Sequence, residues 1–226
     1  MSDSIAHTAN IIVLGDSFVN RLESSLSYDF VRSPASKIMC INEYARDALK
    51  CPLEVNRVYF HGSSGAGLTS HVNKTYTIPH DYLMMLRPKY AILEIGGNDV
   101  DSTAPVDLIV SNRIRLATQI LSDYDVYAVS LSTITPRDTP RHLSPDQFRE
   151  KALEVNIKTN KQSTPPIYFH KHVGFWRDES GTPTDTTCFS TDGVHPNTPE
   201  GIHKYRKSIT KCMHNLIKSY RRSLMA

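Results

Sequence analysis

Short apolar-rich runs recur along the chain, separated by longer stretches in which apolar residues return every three or four positions. The runs Asn10–Leu14, Val55–Phe60, Tyr90–Ile95, Val126–Leu131 and Pro166–His170 have the length of strands, and most lack a polar face, as strands covered on both sides do. Each is followed by a loop rich in Gly, Ser, Asp, Asn or Pro. The clearest helices lie between them. Pro105–Leu121 and Pro145–Lys158 both begin on a proline, with Ser144 as N-cap of the second. A last helix is predicted over about 198–219, where Ile202, Tyr205, Ile209, Cys212, Met213 and Leu216 fall on one face. Strands alternating with helices predict an α/β fold with a parallel sheet covered on both faces. In such a sheet, ligands bind outside the carboxyl ends of the strands, so chemistry is expected in the loops after them.

Composition narrows the class. The 226 residues, 39% hydrophobic and 22% charged, exclude collagen, coiled coil and wholesale disorder, and one domain over 1–226 is expected. No apolar run approaches the ~18 residues of a membrane helix. The opening MSDSIAHTAN has no Lys or Arg, unlike a secretory or mitochondrial leader, so an intracellular, cytoplasmic location is expected. Cys40, Cys51, Cys188 and Cys212 show no C-x-x-C spacing and read as free thiols, with no zinc site. Net charge is +3, but residues 201–226 hold Lys204, Arg206, Lys207, Lys211, Lys218, Arg221 and Arg222 and no acid. The positive charge therefore sits in one terminal helix.

The loops after the strands hold the unusual residues: Gly15-Asp16-Ser17, then Gly62-Ser63-Ser64-Gly65-Ala66-Gly67, then Gly96-Gly97-Asn98-Asp99, and finally Asp192-Gly193-Val194-His195 before the last helix. Taken singly, each has an ordinary explanation. Ser17 would serve as a helix N-cap, Asn98 as a turn residue, and Asp192-Gly193 as a common turn pair. The second loop lacks both G-K-[ST] and G-x-S-x-G, so it is neither a phosphate loop nor a hydrolase elbow. Taken together, they supply in order what ester hydrolysis by serine requires: a nucleophile, oxyanion donors, and a base with its orienting carboxylate.

These four blocks resemble the SGNH (GDSL-type) hydrolase family, which carries a Ser in Gly-Asp-Ser, a Gly, an Asn in Gly-x-Asn-Asp, and an Asp-x-x-His near the C-terminus. The resemblance spans residues 11–197. It implies a flavodoxin-like three-layer α/β/α sandwich with five parallel strands in the order 2-1-3-4-5. It also implies catalysis by Ser17, His195 and Asp192, with oxyanion donors from the Ser17 backbone, a glycine of the second loop and the Asn98 side chain. Gly62, Gly65 and Gly67 compete for that glycine role, and Gly65, which follows a serine, is chosen. No metal or organic cofactor is expected.

Other residues carry ordinary roles. His170 and His172 face one side of a strand-like segment, half a metal site without a third ligand, and read as surface or packing residues. Asp99 is expected to brace its loop, and Phe175, Trp176 and Phe189 either wall an acyl pocket or join the core. The stretch 133–142 should border the pocket but has no diagnostic pattern. The resulting expectation is a hydrolase of small acetyl or short-acyl esters. The competing class is a binding or accessory module using the basic terminal helix on nucleic acid or another anionic partner such as lipid.

Overall fold

The computed structural model describes residues 9–26, 39–41, 55–172, 174–175, 189, 192–196 and 199–225. In chain order the elements are β1 (Ala9–Gly15), α1 (Ser17–Leu26), β2 (Met39–Ile41), β3 (Val55–Gly62), β4 (Ala66–Gly67), β5 (Lys74–Thr75) and α2 (His80–Leu86). They continue with β6 (Tyr90–Glu94), α3 (Gly97–Val100), α4 (Val106–Asp123), β7 (Ala128–Ser132), α5 (Pro145–Gln162), β8 (Ile167–His170) and α6 (Glu200–Ser223).

Six strands form the main sheet in the order β2-β3-β1-β6-β7-β8. The last five of these are mutually parallel and stand in the predicted order, second-first-third-fourth-fifth. The sixth, β2, was not expected. It adds an antiparallel edge to β3 through Met39, Cys40 and Ile41, and three residues are too few to show a strand period. Cys51, Cys188 and Trp176 lie outside the described residues.

The apolar strands are buried on both sides because alternate side chains enter different cores. Ile11, Val13, Phe60 and Ile92 face one cluster, which α1 and α6 cover with Val19, Leu22, Tyr205, Ile209 and Met213. Ile12, Leu14, Ala91 and Leu93 face the other, covered by Leu83 of α2 and Leu116, Ala117 and Ile120 of α4. The strand residues Ile11, Ile12, Leu14 and Ile92 are fully buried, each contributing on the order of 1.5–3 kcal/mol relative to exposure. Helix α5 starts with the predicted cap. Ser144 Oγ accepts from Gln147 N, and Gln147 Oε1 accepts from Ser144 N. On α6 the predicted apolar residues are buried, while Lys207, Lys211, Lys218, Arg221 and Arg222 are exposed. Among the described residues, no helix is long and apolar enough to cross a membrane.

Candidate active site

The register of the sheet sets the first three loops side by side, since Gly15 at the end of β1 pairs with Gly62 on one side and Glu94 on the other. Backbone bonds tie the loops together, Ser63 N donating to Gly15 O at 2.8 Å and Asp16 N to Glu94 O at 3.2 Å. At the start of α1 the cap is Asp16, whose Oδ1 accepts from Phe18 N at 3.0 Å. Ser17 is therefore the first helical residue and not the cap, and its hydroxyl serves another contact. Burial pushes the Asp16 carboxyl up to about 6, against the pull of the Phe18 N–H and the charge of Arg137.

That other contact is His195. Ser17 Oγ lies 2.6 Å from His195 Nε2, across 178 residues of sequence. On the far side of the ring, Nδ1 is 2.8 Å from Asp192 Oδ2, while Asp192 Oδ1 accepts the backbone N–H groups of Val194 and His195 at 2.9 and 3.0 Å. An ionised carboxylate only accepts, so Nδ1 carries the proton and Nε2 offers its lone pair to the serine hydroxyl. Burial pushes the His195 pKa below its ordinary value; the Asp192 hydrogen bond opposes this, and the charges of Arg21 and Arg137 add to it. The Phe18 ring stands against the imidazole at 5.4 Å between centroids. The loop is held from the side by β7's following segment, because Gly193 O accepts from Asp138 N and Thr139 N at 2.7 and 3.1 Å.

The second and third loops meet through Asn98, whose Nδ2 donates to Ala66 O at 2.8 Å. Asp99 braces this junction as expected, accepting from Leu68 N and Thr69 N at 2.8 Å. The three competing glycines separate by packing. A side chain at Gly62 would meet Asn20 at 2.3 Å, and one at Gly67 would meet the Asp99 carboxylate at 2.8 Å. Gly65 is the exception: its φ is +74° and a Cβ there would meet nothing within 4 Å. Among the described residues, the backbone N–H groups of Ser17 and Gly65 have no partner, and Asn98 Nδ2 uses only one of its two N–H groups.

Several neighbours had no sequence signal or only a weak one. Arg21, four positions after Ser17 on α1, donates to Asp192 Oδ2 at 3.0 Å; helical spacing alone would have put it near the serine. Arg137, in the stretch that showed no pattern, donates to Asn98 Oδ1 at 3.0 Å. Behind the loops, Glu94 accepts from Tyr205 OH at 3.1 Å and pairs with His172 Nε2 at 2.7 Å, while His172 Nδ1 and His170 Nε2 both reach Ser208 Oγ. His170 and His172 are thus buried packing groups and not surface ones. Phe175 and Phe189 belong to the core. Among the described residues, no group of three or more His, Cys, Asp or Glu could hold a metal ion.

No protein-family model and no curated protein matches the chain. Solved structures do. A GDSL-like lipase from Bacteroides thetaiotaomicron superposes with a TM-score of 0.56 at 14% identity, over 95% of this chain and 92% of that one. The chain has the fold of the SGNH, or GDSL-type, hydrolases. Two further structures of that fold are a carbohydrate esterase family 3 protein from Talaromyces cellulolyticus and a catalytic mutant of an acetylxylan esterase from Geobacillus stearothermophilus. The first has a TM-score of 0.53 at 15% identity over 93% of this chain and 99% of that one. The second has 0.51 at 15% identity, over 91% and 94%. The four blocks on which the sequence resembles that family fall in the loops after β1, β3 and β6 and just before α6.

Proposed function

We propose that this chain is a serine hydrolase that cleaves carboxylic esters, acetyl or short acyl, through Ser17, His195 and Asp192. The observation that carries the reading is the 2.6 Å contact between Ser17 Oγ and His195 Nε2, with Asp192 holding the opposite nitrogen at 2.8 Å. In this reading His195 takes the Ser17 proton as Oγ attacks the ester carbonyl, then gives it to the departing alcohol, leaving an acyl-serine. Water, deprotonated by the same imidazole, releases the acid and restores Ser17. The negative oxygen of each tetrahedral intermediate is met by the N–H groups of Ser17 and Gly65 and the second N–H of Asn98, donors with no other partner among the described residues. The position of Ser17 at the N-terminus of α1 favours the same negative charge. The acetyl preference is supported by the acetylxylan esterase among the structures of like fold.

The test is labelling of Ser17 by a fluorophosphonate together with hydrolysis of p-nitrophenyl acetate. Wild type is expected to label and turn over, and Ser17→Ala to do neither. Undiminished turnover by Ser17→Ala would remove Ser17 as nucleophile.

A further inference from the structure

Arg137 is buried to 4% exposure and spends its guanidinium on two partners: Nη2 donates to Asn98 Oδ1 at 3.0 Å and Nη1 to Asp101 Oδ2 at 3.1 Å. The Asp101 carboxylate is itself fixed, accepting from the backbone N–H groups of Arg141, His142 and Leu143 at 2.8, 3.0 and 3.3 Å. The guanidinium also lies over the Phe148 ring, 5.2 Å from its centroid. Its place is therefore set, besides Asn98, by the Asp101 carboxylate at the end of α3, itself held by the 141–143 backbone, and by the Phe148 ring of α5.

A side-chain amide has two orientations of nearly equal shape, and its neighbours choose between them. A guanidinium has donors and no acceptor, so the amide edge facing Arg137 has to be oxygen. Nδ2 then faces the other way, where one N–H meets Ala66 O at 2.8 Å. Turned over, the same side chain would set N–H against N–H at Arg137, carbonyl against carbonyl at Ala66, and an oxygen where the intermediate's oxyanion develops. A positive charge at Oδ1 also polarises the amide, which strengthens the N–H that remains for a ligand.

We propose that Arg137 is a positioning residue for ester hydrolysis, fixing and polarising the Asn98 amide so that its nitrogen faces the oxyanion. The proposal rests on the reading of Asn98 as an oxyanion donor. Arg137 itself belongs to none of the four sequence blocks.

The experiment is a double-mutant cycle of Arg137→Lys and Asn98→Ala on p-nitrophenyl acetate, with Ser17 labelling measured alongside. Lysine keeps a charge for Asp101 but lacks the fork that spans both partners. Arg137→Lys is expected to lower kcat about 10- to 100-fold with KM within about twofold, less than the ~10²–10³ expected for losing a donor outright. In the Asn98→Ala background the same change is expected to cost less than about threefold, because the group it acts through is gone. A merely structural role predicts equal losses in both backgrounds, and that result, or wild-type kcat in Arg137→Lys, overturns the proposal. Neutron diffraction from deuterated wild-type crystals reads the Asn98 amide directly and needs no variant to fold. Deuterons on the atom facing Ala66 O support the proposal, and deuterons facing Arg137 overturn it. If the wild type neither labels at Ser17 nor depends on it for turnover, the functional reading itself fails and takes this proposal with it. If labelling and Ser17 dependence hold while the cycle is additive, only the role of Arg137 falls.

Discussion

Arg21 and His195 share one oxygen: Asp192 Oδ2 receives Arg21 Nη2 at 3.0 Å and His195 Nδ1 at 2.8 Å. The imidazole that would act as base thus works beside a fixed positive charge. Burial is the larger influence and Arg21 adds to it, both favouring neutral His195.

A base must be unprotonated, so activity is expected to rise with pH through a midpoint below the ordinary histidine value of about 6.5. Arg21→Gln removes a charge that disfavours imidazolium, and the midpoint of kcat/KM is expected to move upward. The profile of p-nitrophenyl acetate hydrolysis between pH 4.5 and 8.5 measures both. A downward move in Arg21→Gln would contradict the assignment of His195 as base. The same depression makes stability pH-dependent. The unfolded chain binds more protons between the folded value and about 6.5, so this residue's contribution weakens as pH falls through that window.

Asn98→Ala is expected to lower kcat by about 10²–10³ with little change in KM, the usual loss for one oxyanion donor. Steady-state kinetics on the purified variant decide it. A rise in KM at constant kcat would make Asn98 a ground-state binding residue.

The glycines of the second loop are expected to respond differently to alanine. Gly62→Ala drives a methyl into Asn20, whose backbone N stands 2.6 Å away as well as its side chain, and such overpacking costs about 1–3 kcal/mol. Gly65→Ala meets open space and bears only the strain of a positive φ, about 1–2 kcal/mol. Urea unfolding is expected to show a loss for both, with Gly62→Ala also disturbing the contact between β3 and α1. A Gly65→Ala protein that did not fold would mean the loop packs more tightly than described.

His172→Leu is expected to be the most destabilising of these changes. Burial raises the Glu94 pKa, but the charge and hydrogen bond of His172, with further help from Ser132 and His170, bring it below its ordinary value, so the carboxylate stays ionised inside the protein. Removing the imidazole takes away the strongest partner of that buried charge while Tyr205 OH still donates to it, at a cost of about 3–5 kcal/mol. Urea unfolding at pH 7 measures it, and pairing the change with Glu94→Gln is expected to recover part of the loss. A loss under 1 kcal/mol in the single variant would show that Glu94 is neutral in the fold.

Much of this protein is written locally. A strand buried on both faces needs only a short apolar-rich run, and a helix start needs a cap and a proline, so β1, β3, β6, β7, β8 and α5 follow from neighbouring residues. Asp192 and His195 are three positions apart, and that spacing brings carboxylate and imidazole together within one loop. The parallel order of the sheet then carries Ser17 to them, although 178 residues separate serine from histidine.

The tertiary structure decided the rest, because polar pairing across distant segments has no period for a sequence to display. It gave the cap of α1 to Asp16 and so released Ser17. It closed Gly62 and Gly67 against Asn20 and Asp99 and left Gly65 open. It brought Arg137 to Asn98 across 39 residues, and Glu94 to His172 across 78. An arginine in a stretch without pattern and a glutamate at the end of an apolar strand look unremarkable by themselves. Their partners lie on other strands' loops, and only the stacking of those loops at one end of the sheet gives each charge its neighbour.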